Sequence, residues 1–175
     1  LFEQFDFEQL FQLQRETKPI VVMMCGVAGS GKTTFAKILE KKGFVRLSID
    51  EEIWTTNGRW GIDFPMEKLV EYRASAEGKL RLQLIQLMKD KQHVVIDFSF
   101  WDRSRREDYK RLIESSGGKW VLLYLQVEVE ELQKRLQLRN QRADANSFPI
   151  SDELLASYLK RFEVPKGEGE IVVRN

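Results

Sequence analysis

The chain has 175 residues, 42% hydrophobic and 31% charged, with 28 Lys plus Arg against 27 Asp plus Glu and a net charge of +1. That length suits one domain with a real core, and the composition excludes collagen, extended disorder and a disulfide-built miniprotein. The charge balance argues against a strongly basic nucleic-acid binder while leaving room for a local basic patch, and a single cysteine, Cys25, with a single histidine, His93, excludes zinc fingers, Cys–His proteases and His-rich metal sites.

Residues 2–14 carry phenylalanines at spacings that fit neither a helix nor a strand, and they read as a docked extension. Residues 20–25 are continuously apolar between Pro19 and Gly26 and predict a buried strand. Residues 33–42 predict a helix with Phe35, Ile38 and Leu39 inward, stopped by Gly43, and residues 44–49 a second short strand. A long helix follows over 65–89, with Pro65 in its first turn and Leu69, Tyr72, Ala76, Leu80, Leu84 and Leu87 on one stripe. Residues 93–98 predict a third strand. Ser104 and Glu107 have capping-box spacing for a helix that turns Tyr109, Leu112 and Ile113 inward and ends at Gly117-Gly118.

Residues 120–127 predict a fourth strand, and Val129, Leu132 and Leu136 mark the next helix. Residues 140–150 are polar without a period. Residues 151–162 predict a last helix and 170–173 a last strand. Apolar strands alternating with helices imply an α/β fold, a parallel sheet covered on both faces. The longest uncharged apolar stretch, residues 20–31, is too short to cross a membrane. No signal-peptide pattern is present, so the cytoplasm is the default compartment. The chain begins at Leu1 and not Met, so the natural N-terminus need not be included.

The chemistry is announced by Gly26-Val27-Ala28-Gly29-Ser30-Gly31-Lys32-Thr33, which matches the P-loop pattern G-x-x-x-x-G-K-[ST]. Glycines let backbone N–H groups turn inward around a phosphate, and the helix that starts at Lys32 adds the positive end of its dipole. Lys32 supplies a charge for the β and γ phosphates, and Thr33 a hydroxyl for Mg²⁺. A dinucleotide fold fits less well: the glycines run G-x-x-G-x-G, and Lys32-Thr33 has no role there. A motor ATPase carries a glutamate directly after the acid that ends its third strand, whereas Phe98 follows Asp97 here. The Asn-Lys-x-Asp base-reading motif of a GTPase is absent from the sequence. A small P-loop kinase is what these exclusions leave.

Such an enzyme needs a magnesium set, a base near the acceptor hydroxyl and cations on the migrating phosphoryl group. Asp50, at the carboxyl end of the second strand, is the candidate base, with a helix N-cap as its structural alternative. Asp97, at the same edge of the third strand, is the candidate metal-side acid, again with an N-cap as the alternative. Arg135, Arg139 and Arg142 fall on one helix face before the polar stretch and are candidate lid arginines, with Glu131 positioned to pair with Arg135. Arg103, Arg105 and Arg106 either bind an anionic acceptor or are neutralised by Glu107 and Asp108. Trp54, Trp60, Phe64 and Trp101 either line an acceptor pocket or pack a core. His93 and Cys25 read as structural.

Several stretches resemble the P-loop kinase group that includes polynucleotide 5′-kinases, chloramphenicol phosphotransferase, gluconate kinase and zeta toxins. The likeness is greatest to its small stand-alone bacterial members, the predicted kinases of an AAA-type ATP-binding family. The matching stretches are residues 26–34, 46–51, 94–103, 132–142 and 162–165, which together span the chain from about residue 19 to its end. Residues 97–103 look like the D-x-[ST]-F-W-x-R signature of those members.

The resemblance implies a P-loop NTPase fold in three layers, with a parallel sheet in the order 2-3-1-4-5 and a helical lid at about residues 135–152. Residues 1–18 would be an extension and 19–175 the kinase domain. It implies ATP and Mg²⁺ as cofactors, held by Gly26, Ala28, Gly29, Ser30, Gly31, Lys32, Thr33 and Thr34, with Thr33 and Asp97 on the metal. Lys32, Asp50, Arg139 and Arg142 would act on the reacting groups, Arg135 and Arg139 on the phosphates, and Pro165 would lie near adenine. Polynucleotide kinases tend to carry an arginine three residues after the base, where this chain has Ile53, a departure that argues against a polynucleotide acceptor. The expectation is a hydroxyl of a small molecule as phosphoryl acceptor. A 5′-hydroxyl nucleic-acid end and a non-enzymatic, ATP-gated binding module are the alternatives.

Overall fold

The computed structural model describes residue 10, residues 18–141 and residues 149–174. In chain order the elements are β1 (Ile20–Cys25), α1 (Lys32–Lys41), β2 (Val45–Leu47), α2 (Ile49–Asn57), a 3₁₀ turn (Met66–Lys68), α3 (Leu69–Lys89), β3 (Val94–Ile96), α4 (Arg103–Ser115), β4 (Lys119–Gln126), α5 (Val129–Arg139), α6 (Asp152–Arg161) and β5 (Glu170–Arg174). The strands form one sheet in the order β2-β3-β1-β4-β5, and every neighbouring pair is parallel. This is the topology expected from the resemblance. Among the described residues no helix is long and apolar enough to cross a membrane.

β1 is buried along its whole length, which explains why its sequence shows no alternation. Its side chains divide between two cores. Val21, Met23 and Cys25 join Val94, Ile96, Leu122, Leu84, Tyr109 and Ile113 on the face covered by α3 and α4. Ile20, Val22 and Met24 join Phe35, Leu39, Val95, Leu123 and Val173 on the face covered by α1. Leu10 is buried in this second cluster; residues 1–9 and 11–17 of the expected extension lie outside the described residues.

Two local expectations are corrected. The second predicted strand stops at Leu47, because Ser48 turns the chain and caps α2, its Oγ accepting from the Glu51 N–H at 3.4 Å. Asp50 is therefore neither the strand end nor the cap; it sits in the first turn of α2, where an acid favours the helix dipole. The cap of α4 is Asp102, whose carboxylate accepts from the Arg105 N–H at 2.7 Å, so Ser104 lies inside the helix and no capping box forms. The helix expected from Val129, Leu132 and Leu136 is α5, which buries Leu132 and Leu136 and leaves Val129 exposed.

His93 is structural. Its Nδ1 accepts the Ile20 N–H at 3.0 Å and so closes the start of β1, and its ring packs on Phe44 at 5.6 Å. Burial holds its pKa below the ordinary 6.5. The neutral ring is thus the folded form, and its contribution is complete above pH 6.5 and is lost as pH falls toward the depressed folded value. Urea unfolding from pH 8 to pH 5 should show stability declining below about pH 6.5 in the wild type, with a shallower decline in His93→Asn. Equal slopes would show that His93 does not carry the linkage.

Candidate active site

The parallel register delivers three chain segments to one edge of the sheet. β1 runs into the P-loop at Gly26, β2 into the Ser48 cap and Asp50, and β3 into Asp97. The ladder continues past the strand ends: the Asp97 N–H donates to Leu47 O at 2.8 Å, and the Gly26 N–H to Ser99 O at 3.2 Å. The phosphate-loop backbone is thereby tied to the segment that follows Asp97.

Gly31, at φ 96°, is the N-cap of α1, with no side chain over the helix end, so the first N–H groups of α1 face the loop. Gly29 has φ 83°, and a Cβ there would come within 3.2 Å of Leu136 and 3.4 Å of Leu132. Those leucines are the inner face of α5, the helix that carries Arg135 and Arg139. The bare glycine thus sets how closely the arginine helix lies on the phosphate loop.

A cleft of about 1440 Å³ opens at this edge. Ala28, Gly29, Gly31, Lys32, Thr33 and Thr34 line it from the loop and α1, Asp50 from α2, Asp97 from the end of β3, and Arg135 and Arg139 from α5. Gly26 and Ser30 build the loop without lining the cleft: Ser30 is fully buried, and a Cβ on Gly26 would meet its Oγ at 2.7 Å. Pro165, expected near adenine, is buried and is not among the residues that line the cleft. Arg142 lies outside the described residues. Asn140 closes the base of that segment, its amide donating to Ile150 O at 3.0 Å and its carbonyl accepting from Ile150 N at 3.1 Å.

The Lys32 ammonium donates to Val27 O at 2.9 Å across the loop. Burial lowers its pKa, against the opposing charge of Asp97. The Asp50 side chain lines the cleft and is half exposed; desolvation by the surrounding walls raises its pKa, partly offset by the Arg73 guanidinium 3.9 Å away. Lys32 and Arg139 both act electrostatically on Asp50, so the three groups share one field. Arg135 donates to Glu131 at 2.7 Å, the expected pairing, and still lines the cleft.

The three arginines after β3 separate. Only Arg105 reaches the cleft, lying over the Phe98 ring at 5.7 Å and paired with Glu77 at 2.9 Å. Arg106 is fully buried; its Nε and Nη2 each donate to Glu168 at 2.7 Å and its Nη1 to Phe100 O at 2.9 Å. Breaking such a pair typically costs about 3–5 kcal/mol, which marks Arg106 as a structural bolt. Arg103 is exposed and away from the cleft. The aromatic residues separate as well: Trp54 and Trp101 line the cleft, while Trp60 and Phe64 pack a satellite core. Cys25 is core, its thiol pushed up to about 12 by burial.

The residue that sequence reasoning passed over is Arg46. Its side chain is only 3% exposed, and it holds both Asp97 and Glu51 at 2.7 Å. An arginine between the apolar residues of a short strand was the available signal. The donors present suit magnesium: the Thr33 hydroxyl and an Asp97 carboxylate are hard oxygens on one cleft. Among the described residues no group of three or more His, Cys, Asp or Glu could hold an ion by itself.

The family described as AAA domain matches residues 21–165. The chain belongs to this family. Among relatives of this AAA-domain protein, the L-seryl-tRNA(Sec) kinase of Methanococcus maripaludis is 25% identical over 150 residues, covering 83% of this chain and 53% of that protein. The chain thus spans about half the length of the curated relative it matches. The structure of the Pnkp1/Rnl/Hen1 RNA repair complex contains a chain that superposes with a TM-score of 0.69 at 21% identity, over 83% of this chain and 44% of that one. A candidate kinase from Chloroflexus aurantiacus j-10-fl superposes with a TM-score of 0.69 at 18% identity, over 90% and 89%. These likenesses establish the P-loop kinase fold of the AAA-domain chain.

Gly29→Ala tests the link between the phosphate loop and α5. The substitution strains a left-handed backbone and pushes on Leu136. ATP affinity should fall by about tenfold or more while the circular dichroism spectrum is kept. Unchanged affinity would show that loop and helix are not set by this contact.

Proposed function

We propose that this protein is a phosphotransferase that moves the γ-phosphoryl group of ATP to a hydroxyl of a small-molecule acceptor. The observation that carries this reading is the convergence of Lys32, Asp50 and Arg139 on one cleft with a shared electrostatic field. The cleft volume, about 1440 Å³, exceeds the roughly 300–1,000 Å³ of single-ligand pockets. It has room for a nucleotide and an acceptor side by side.

In this reading the loop and the N-terminus of α1 bind the phosphates, with Lys32 exchanging Val27 O for a phosphate oxygen. Asp50 takes the proton of the acceptor hydroxyl as its oxygen bonds to the γ phosphorus. The bond from that phosphorus to the bridging oxygen breaks, and ADP leaves with the electron pair. Arg139 and Arg135 stabilise charge on the migrating group from α5. Thr33 and Asp97 are the residues that would hold Mg²⁺, which when bound neutralises the β and γ oxygens. Trp54, Arg73, Glu77, Phe98 and Arg105 also line the cleft, and in this reading they are the residues that meet the acceptor.

A nucleic-acid 5′-hydroxyl end is the second reading, favoured by the neighbour in an RNA repair complex; the relative named as an L-seryl-tRNA(Sec) kinase favours only a hydroxyl carried on RNA. The burial of Arg106, the outward position of Arg103 and the burial of Ile53 in the satellite core weigh against it.

Asp50→Asn should keep nucleotide affinity and lower transfer by about 10²–10⁴-fold against a panel of sugars, nucleosides, aminoglycosides, phenicols and 5′-hydroxyl oligonucleotides. Full activity in that variant would remove Asp50 as base. Because Asp50 is raised above its ordinary 3.8, loss of kcat/KM on acidification should begin at a higher pH than that of a free aspartate. Arg73→Met removes a cation that favours the ionised form, so the acidic limb should move to still higher pH. A limb that stays in place would show that Arg73 does not sense the base.

A further inference from the structure

We propose that Arg46 is a positioning residue that makes the site select Mg·ATP over free ATP, by fixing Asp97 in a single-oxygen pose. The inference rests on the kinase reading above and deepens it. Arg46 lies in the middle of β2, in one row with Val95 and Val22 across the sheet. Its Nε and Nη2 both donate to Asp97 Oδ2, at 3.0 and 2.7 Å. Its Nη1 reaches Glu51 Oε1 at 2.7 Å. Side-chain exposure is 3% for Arg46 and 2% for Asp97, so water does not compete for these bonds.

Two consequences follow from chemistry. With both donors on Oδ2, Asp97, which lines the cleft, has only Oδ1 left for an ion and does not chelate through both oxygens. One oxygen suits an octahedral, reluctantly dehydrated Mg²⁺, which accepts a carboxylate singly or through water. The guanidinium charge also offsets the Asp97 charge, so the pair is a poor site for a bare cation. Magnesium is expected to arrive on the nucleotide, whose phosphates supply the missing negative charge.

Glu51 extends the contact. It follows Asp50 in the first turn of α2, and Lys37 of α1 stands 4.0 Å from its carboxylate. One guanidinium therefore joins the metal-side acid to the turn that carries the base. The planar fork is what allows it: an ammonium is a single point charge and cannot hold two carboxylates in fixed directions.

Calorimetric titration tests the proposal. Wild type and Arg46→Lys are titrated with ATP in EDTA and with ATP in excess Mg²⁺, and wild type with MgCl₂ alone. Wild type should bind Mg·ATP more tightly than ATP and give no saturable heat with MgCl₂. Arg46→Lys should lose about tenfold or more of the magnesium preference, the scale of an outer-sphere defect, with affinity for ATP in EDTA unchanged. Simple destabilisation would weaken both titrations together. A full magnesium preference in Arg46→Lys overturns the positioning role and leaves the kinase reading intact. Saturable binding of MgCl₂ to the wild-type protein, a measurement that needs no variant to fold, also overturns it. Wild type that binds nucleotide in neither buffer overturns the kinase reading and this inference with it.

Discussion

The parallel alignment of β1 with β3, Val21 beside Val94, Val22 beside Val95 and Met23 beside Ile96, is the constraint on which the site depends. A shift of one residue would turn every side chain of β1 to the wrong core. The same shift would move Gly26 away from Ser99 and carry the phosphate loop out of step with Asp97. Both faces of β1 are buried, so such a shift would keep its side chains from water but misfit each of them in a close-packed core, leaving voids and overpacking. Core packing and site geometry are therefore one requirement met by the same strand.

From that edge the cleft is assembled by contacts of decreasing locality. The loop and α1 are continuous in sequence. α5 is brought to them by Leu132 and Leu136 against Gly29, where the absent side chain lets the arginines approach. The first turn of α2 is held by its Ser48 cap and by the Arg46–Glu51 ion pair. On the far side, Glu163 accepts the Arg103 N–H at 2.8 Å and donates its own N–H to Trp101 O at 2.9 Å, while Glu168 holds Arg106. The segment after α6 thus braces the stretch from Trp101 to Arg106, which carries two cleft residues.

What could be read from the chain alone follows the range of the forces involved. The strands, the phosphate loop and the helix stripes are local patterns of apolarity and glycine, and the sheet order came with the resemblance. Caps were less legible, because Ser48 and Asp102 compete with neighbours of equal capping ability, and only the path of the preceding strand decides between them. Long-range polar networks were illegible. Arg46 and Asp97 are 51 positions apart and Arg106 and Glu168 are 62 apart. Nothing local distinguishes Arg106, a buried bolt, from Arg105, a cleft residue; the pitch of α4 turns one inward and the other toward Phe98.

The central claim is that Lys32, Asp50 and Arg139 serve one phosphoryl group, and a crystal structure with Mg²⁺ and a non-hydrolysable ATP analogue tests it most directly. The account predicts the β and γ phosphates in the loop of residues 26–33, with Lys32 released from Val27 O onto a phosphate oxygen. Arg139 should contact the γ phosphate, and Asp50 should face it from the side opposite the leaving oxygen. A nucleotide bound with its γ phosphate remote from Asp50, or bound outside the loop, would contradict it.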